Sequence, residues 1–543
     1  MNRIILVIVG LFSGFVGVSQ EGVKRPKLVV GIVVDQMREE YLYRFYDHYS
    51  EGGFKRLMND GFEVKNAHFN YIPTKTAPGH ASVYTGTTPR VHGIIANDWY
   101  DKEEKRYRYC VEDETMTQVG GSAETGKISP VNLQTTTVTD ELALFYQERA
   151  KIIGMSIKDR GAVLPAGHQP DAAYWYDTQT GEFMTSSYYK EALPKWVKKF
   201  NKQGLADSYM QGAWETFFPI EKYVESGDDN RAGERPFAGK NEATFPYDLK
   251  AYSKPRSLIK STPWGNTILA EFAKASLESE GLGQDEVTDF LAVSFSSTDY
   301  VGHTFGPYSK EVEDTYVRLD RDLESLFQAL DEKVGKGQWT VFLTADHAVA
   351  PIPEAMKEKH MPADYWGERS AREVLNAKLN EAFGIDSLIE SVSNEQLFLN
   401  HDLIGESSLT VSDVKAYLIS LLKKTDGINA VYDGDDISNY SGNNYDVSML
   451  AAGYNQHRSG DILLIINSGW IDGDPNGENT GTTHGSHYSY DTHVPMLFYG
   501  WGVHKGKTYD YHPITDIAPT ISMLLNIGLP SGATGQPIVE VFE

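Results

Sequence analysis

Residues 27–37 read KLVVGIVVDQM: seven apolar or small residues with no alternation, then a carboxylate at Asp35. An unbroken apolar run of this length suits a strand buried on both faces, as in the middle of a parallel sheet, whereas a strand with one wet face would alternate. Similar runs recur as GMSI (154–157), VTDFLAVSFSS (287–297), WTVFLTADH (339–347), DILLIINSG (461–469) and VPMLFYG (494–500). Between several of them lie amphipathic patterns. The clearest places Val312, Tyr316, Leu319, Leu323, Leu326 and Leu330 at alternating spacings of four and three, the signature of one helical face. Strands alternating with helices predict an α/β fold with a mostly parallel sheet sandwiched between helices.

Three segments interrupt this pattern. Residues 98–134 and 167–256 are rich in Tyr, Trp, Gly and Pro without a clean period, and 353–455 carries helical patterns of its own. We read them as insertions decorating the active-site end of one domain spanning 20–543, the last forming a small subdomain. No repeat, low-complexity tract or linker divides the chain.

The 543 residues carry a formal charge of −25, with 23% charged and 41% hydrophobic residues. That composition is globular. The charge excludes a nucleic-acid or anionic-membrane binder, because a phosphate backbone would be repelled. An acidic protein that handles phosphate must gather positive charge locally, from metal ions or a few placed cations.

The first residues, MNRIILVIVGLFSGFVGVSQ, place Arg3 before an apolar stretch from Ile4 to Val18 that ends in the small residues Gly17 and Ser19. This is the pattern of a secretory leader cleaved near Ser19. A membrane anchor needs ~20 apolar residues, and this core is shorter and broken by glycine. Residues 1–19 are therefore read as a signal peptide, and the mature chain as exported, periplasmic or secreted, with no stable membrane anchor. Cys110 is the only cysteine, so no intrachain disulfide can form; it is assigned no role.

Chemistry-bearing residues collect where the strand-like runs stop. Asp35 ends the first; Asp299 follows the run at 287–297, with His303 four residues on; Asp346 and His347 end another. Open α/β sheets bind ligands beyond the carboxyl ends of their strands. An aspartate after a strand is also a common turn or cap residue. Three such features of the residue types that bind zinc are harder to dismiss. A late segment, GENTGTTHGSHYSYDTHVPMLFYG (477–500), adds His484, His487 and His493, which residue chemistry alone does not rank. In YIPTKTAPGHASVYTG (71–86), Thr76 precedes a helical pattern and on its own reads as an N-cap.

The chain resembles the alkaline phosphatase superfamily, and within it the PafA-type zinc-dependent phosphomonoesterases. The resemblance runs over nearly all of the mature chain. It is carried by Asp35 and by PTKTAPGHASVYTGTTPRVHGIIANDWY (73–100), SIKDRG (156–161), SSTDYVGH (296–303), LTADHA (343–348), TTHGSHYSYDTHVP (482–495) and TDIAPTISMLLNIGLP (515–530), all in the family's order. It implies that Thr76 is the nucleophile. It also implies that Asp299, His303 and His484 hold one zinc, and that Asp35, Asp346 and His347, with the Thr76 oxygen, hold a second. Asn97, Lys158 and Arg160 match the groups that contact phosphoryl oxygens, and the His-Gly of the motif selects His484 over His487.

A threonine hydroxyl is a weak nucleophile at its free pKa, and metal coordination activates it. Two metals ~4 Å apart can stabilise the attacking and leaving oxygens of an in-line displacement together. Lys158 supplies a point charge and Arg160 a planar fork for the remaining oxygens. The expected reaction is hydrolysis of small phosphate monoesters through a phosphothreonine, releasing inorganic phosphate, with a monomer sufficient for it. The nearest alternative is a nucleotide pyrophosphatase or phosphodiesterase, which would need a neutral pocket for its second ester group where Lys158 and Arg160 stand. A sulfatase would carry a C/S-x-P-x-R motif, absent around Thr76. A noncatalytic phosphate or metal binder would have lost a ligand or the nucleophile.

Overall fold

The computed structural model describes residues 24–122, 125–252, 255–475 and 477–542. The leader read at residues 1–19 lies outside them.

Leu28–Val34 forms β1, and all seven residues are buried, as the unbroken apolar run requires. It pairs in parallel with Asp289–Phe295 (labelled β7 in the sheet) on one side and Trp339–Thr344 (β8) on the other, Val30 standing opposite Leu291 and Val341. The remaining strands of the sheet are Phe62–His68 (β2), Gln118–Val119 (β3), Ile152–Ser156 (β4), Ala172–Asp177 (β5), Glu182–Ser186 (β6), Met496–Gly500 (β9) and Gly506–Pro513 (β10). The ten run in the order β10-β2-β9-β8-β1-β7-β4-β5-β6-β3. The four neighbours β8, β1, β7 and β4 are mutually parallel. Burial on both faces explains why the centre of the sheet reads as apolar runs rather than alternation.

The helices that carry the site are Thr76–Thr85 (α1), Asp159–Ala166 (α2), Ser297–Phe305 (α3) and Lys310–Leu330 (α4). The periodic stripe lies on α4, which buries Tyr316, Leu319, Leu323, Leu326 and Leu330 against the sheet core and is capped by the Ser309 hydroxyl accepting from Val312 N.

Three local expectations change. The run at 494–500 does give a strand, but β9 is antiparallel to both β8 and β2. The run at 461–469 gives Ile462–Ile466, which leaves the main sheet and joins a separate antiparallel four-stranded sheet with Ile389–Ser393, Gln396–Leu399 and Ile428–Asp433. An apolar run of five cannot tell one buried sheet from another. That small sheet has its own core, built from residues such as Leu379, Leu418, Leu422, Ile462 and Leu464. Within 167–256, read as an aperiodic insertion, residues 172–186 form β5 and β6 of the main sheet. Their aromatic residues, Tyr174, Trp175, Tyr176 and Phe183, hid the strand pattern because they fill the core themselves.

Cys110 is buried beside the hairpin of Asp98–Asp101 and Arg106–Tyr109, in a cluster with Trp99 and Ile95.

Candidate active site

The carboxyl ends of four adjacent parallel strands deliver one residue set each. Asp35 follows β1, Lys158 follows β4, Asp299 lies in the first turn of α3 after β7, and Asp346 and His347 follow β8. Because β9 runs antiparallel, with Met496 opposite Thr344, its start lies at the same edge. The loop before it thereby brings His484 to that edge. Parallel β2 and β10 lie beyond β9, and the chain leaving β2 reaches α1, whose first residue is Thr76. The antiparallel strand is thus what lets a late histidine join aspartates from the first part of the chain.

Thr76, Lys158, three aspartates and three histidines gather within a few ångströms. Thr76 Oγ1 is 3.4 Å from His347 Nε2 and 3.4 Å from Lys158 Nζ. Lys158 donates to Asp299 Oδ2 at 2.6 Å and lies 2.7 Å from Asp35 Oδ2. His303 Nε2 is 3.1 Å from Asp299 Oδ1, and His484 Nε2 is 3.8 Å from the same oxygen. His347 Nε2 stands 3.5 Å from Asp35 Oδ1 and 3.6 Å from Asp346 Oδ2. The rings of His347 and His484 stack with centroids 3.4 Å apart.

The three imidazoles share one device. His303 Nδ1 donates to Thr482 O at 2.6 Å, His484 Nδ1 to Thr74 O at 2.7 Å, and His347 Nδ1 to Ala348 O at 2.9 Å. A backbone carbonyl can only accept, so each Nδ1 carries a hydrogen, and in the neutral ring Nε2 then keeps a lone pair toward the carboxylates. Buried imidazoles held this way are poised as metal ligands. Burial pushes the pKa values of His347 and His484 well below the usual histidine range, which keeps both neutral. His303 is also opposed by burial, but the Asp299 charge outweighs it and raises its pKa.

The carboxylates show what is missing. Apart from the Lys158 ammonium, no donor meets either oxygen of the fully buried Asp35, and Asp346 Oδ2 is likewise buried without a hydrogen bond. Burial and then the Asp299 charge raise the Asp35 pKa to about 6, and burial and then Asp35 raise that of Asp346 well above the carboxylate range. Asp299 is pushed up by burial too, yet His303 and Lys158 pull it far below its usual value. Three carboxylates this close and this dry repel one another unless cations meet them. A mixed Asp/His donor set with orphaned carboxylate oxygens fits divalent metal ions.

Two triads bring their donor atoms within 4.8 Å of one another: Asp299, His303 and His484, and Asp35, Asp299 and His347. Asp299 therefore belongs to both. Asp346, expected in the second set, lies at its edge because Oδ1 already accepts the Gln36 N–H at 3.1 Å while Oδ2 faces His347.

Thr76 does not cap its helix. It is the first helical residue of α1, and Lys75 holds the cap position with no side-chain cap bond. The N-cap expectation is corrected: the hydroxyl is directed to Lys158 and His347 instead. The helix start can come this close to β8 because of Gly79, where a Cβ would meet Asp346 O at 2.1 Å. His80 is neutral as well, Nδ1 donating to Thr76 O at 2.8 Å and Nε2 accepting from the Ser294 hydroxyl at 2.8 Å.

Asn97 Oδ1 accepts from Ala77 N at 2.9 Å. Since a backbone N–H can only donate, the oxygen is fixed there and the Nδ2 hydrogens are left for a ligand. Arg160 is steadied by Tyr109, whose hydroxyl receives Arg160 Nη1 at 3.1 Å and donates to Asp159 at 2.5 Å, while Arg160 Nε is buried without a partner. His487 stands apart, its Nε2 3.3 Å from Asp446.

Several supporting groups escaped the sequence. Gln36 adopts a left-handed backbone at φ 67 and donates through Nε2 to Asp299 Oδ1 at 2.7 Å. Lys75 Nζ holds His484 O at 2.9 Å. Gln36 and Lys75 had only their positions next to Asp35 and Thr76 as a local signal; their contacts, and that of Tyr109 with Arg160, are long-range and leave no mark in the sequence.

Residues 29–489 match the type I phosphodiesterase / nucleotide pyrophosphatase family. The chain is 46% identical over 533 residues to the alkaline phosphatase PafA of Elizabethkingia meningoseptica, covering 97% of each chain. It is 46% identical over 534 residues to the alkaline phosphatase PhoV of Synechococcus elongatus, covering 97% of this chain and 94% of that one. The crystal structure of wild-type alkaline phosphatase PafA is similar with a TM-score of 0.93 at 46% identity, covering 96% of this chain and 100% of that one.

Proposed function

The chain belongs to the type I phosphodiesterase / nucleotide pyrophosphatase family and groups within it with the PafA-type alkaline phosphatases, and on that premise we propose that it hydrolyses phosphate monoesters through a covalent phosphothreonine at Thr76. The observation that carries this reading is the placement of the Thr76 hydroxyl 3.4 Å from both Lys158 Nζ and His347 Nε2, at the meeting point of the two ligand triads.

Two zinc ions are the proposed cofactors, one with Asp299, His303 and His484, the other with Asp35, Asp346, His347 and the Thr76 oxygen. Metal ions there would supply Lewis-acid stabilisation of the phosphoryl oxygens and lower the pKa of the nucleophile. The residues do the rest. Lys158 places a positive charge beside Thr76 Oγ1, which favours the alkoxide over the alcohol. Burial keeps His347 and His484 neutral, so neither competes for a proton while it serves as a ligand. Asn97, pinned through its oxygen, offers two N–H donors to one phosphoryl oxygen. Arg160, braced by Tyr109, offers a fork to others. The start of α1 adds its dipole to the same charge.

Lys158 and Arg160 together favour a terminal phosphate dianion over the single charge of a diester, which supports the monoester within a family whose description names diesterases. The products are an alcohol and, after water cleaves the phosphothreonine, inorganic phosphate. All of these groups come from one chain, so a monomer suffices. Export to the periplasm or medium is part of the same proposal; among the described residues no helix is long and apolar enough to cross a membrane.

Acid-quenching the enzyme during turnover and mapping phosphate by peptide mass spectrometry tests the intermediate. Phosphate on Thr76 supports the proposal; steady turnover with no phosphoprotein at any quench time contradicts it.

A further inference from the structure

A second set of metal-type donors lies away from the candidate active site. His48 ends a short helix at Tyr46–His48, Glu225 lies on the segment before Gly227, and Glu313 stands in the first turn of α4. One donor atom from each lies within 4.8 Å of the others. His48 Nδ1 is 3.0 Å from Glu313 Oε1, and the Glu313 side chain is completely buried.

The charges do not balance. Among the described residues neither Glu225 nor Glu313 has an ion pair with lysine or arginine, and the only partners of Glu313 are His48 and the Ser226 hydroxyl. One oxygen of Glu225, Oε2, is sealed from solvent and accepts no hydrogen bond. Two carboxylates beside one imidazole leave about one uncompensated negative charge in a poorly solvated spot even when the imidazole is protonated.

The ring is placed to serve as a ligand. The Phe218 and Tyr223 rings lie 5.2 and 5.6 Å from that of His48, and Arg321 fixes its backbone by donating to His48 O at 3.1 Å. Nδ1 is the ring nitrogen turned to Glu313, and in the tautomer with hydrogen on Nε2 it would offer its lone pair to an ion between them.

We propose that His48, Glu225 and Glu313 form a structural binding site for a divalent transition-metal ion of the zinc or manganese class. One imidazole nitrogen and two carboxylates suit those ions, whereas calcium and magnesium favour all-oxygen sets. The site joins three stretches distant in sequence: the N-terminal helices, the segment around Glu225 and the start of α4. A few residues before α4, α3 carries Asp299 and His303, so the ion would fasten the outer segment to the helix pair behind the catalytic centre. The inference is independent of the catalytic assignment.

The test is metal content. Wild type, Glu225→Gln and His48→Gln are each loaded with zinc, and separately with manganese, then desalted and assayed by elemental mass spectrometry, with circular-dichroism melts to confirm folding. Glu225→Gln removes the anionic charge and His48→Gln the imidazole nitrogen, without cutting the glutamate side chain short. The site predicts one metal equivalent fewer per chain in both variants with at least one of the two ions, and phosphatase kcat/KM unchanged. It also predicts a melting temperature that rises less with added metal than in wild type. Metal content equal to wild type in either folded variant overturns the proposal. So does a loss of metal matched by a proportional loss of activity in both, which would place the effect in the catalytic centre. Should one variant fail to fold, the other decides by the same comparison.

Discussion

Lys158 donates to Asp299 Oδ2 at 2.6 Å, which ties a cation from the end of β4 to the carboxylate shared by both ligand triads. The same ammonium reaches Thr76 Oγ1. Burial opposes its charge, yet Asp299 and Asp35 raise its pKa, so it stays protonated at any working pH. Asp299 and Lys158 thus form one electrostatic unit beside the Thr76 hydroxyl.

Removing that unit's positive member should cost most where the substrate carries most charge. Lys158→Ala and Arg160→Ala should each lower kcat/KM for a phosphate monoester by about 10- to 150-fold, the loss of one charge-assisted hydrogen bond. Any diesterase side activity should fall much less. Steady-state assays of both substrates on the same preparations check this, and equal losses would remove the assigned role.

Thr76→Ala should lower turnover by at least about 10³-fold, as nucleophile deletions do when the rest of the site remains. Thr76→Ser keeps an attacking oxygen and should retain the phosphorylated intermediate. Single-turnover kinetics with acid quench measures both, and unimpaired turnover in Thr76→Ala would count against the assignment.

His484 and His487 are three residues apart but face different partners, Asp299 and Asp446. Replacing His484 by Ala should release about one zinc per chain and abolish activity, since a three-residue ligand set has no spare member. His487→Ala should leave both unchanged. Elemental analysis after desalting distinguishes them.

The central sheet was legible because burial on both faces leaves a mark in sequence: the run at Leu28–Val34 can be little else. The subdomain strand Ile462–Ile466 bears the same mark, and pairing partners lie outside any local window. Strands β5 and β6 were hidden by aromatic residues that pack as core without alternating. In the site, the residue types were legible at Asp35, Asp299, His303, Asp346 and His347 because each follows a strand end. Their grouping with Thr76 and His484 into two ligand sets came only from the family resemblance, not from residue type or spacing. Gln36, Lys75 and Tyr109 act through contacts that the fold creates, and Asp299 is shared between triads only because β1, β7 and β8 are neighbours.

A pH dependence follows from a pair outside the site. Asp140 closes a capping box with Thr137 and lies 2.9 Å from His168 Nδ1. Burial would raise the Asp140 pKa, but the hydrogen bond and charge of His168 bring it below 3.8; the bond to Asp140 raises that of His168 above 6.5. A depressed carboxyl stabilises the fold above its unfolded pKa and loses that effect in acid. A raised imidazole stabilises below its unfolded pKa and loses that effect as pH rises through its folded one. The pair is therefore strongest between about pH 4 and pH 6.5. His168→Gln should lower the melting temperature more at about pH 5 than at about pH 8.5. Equal losses at both would show that the charge contributes nothing.

The central claim, a metal-dependent monoesterase, is tested most directly by one paired assay. The mature protein is supplied with zinc, and kcat/KM is measured for p-nitrophenyl phosphate and for bis-p-nitrophenyl phosphate, each with and without a chelator. The site around Thr76, Lys158 and Arg160 predicts a strong preference for the monoester that the chelator abolishes and zinc restores. A preference for the diester, or monoesterase activity indifferent to a chelator that demonstrably strips the metal, would contradict it.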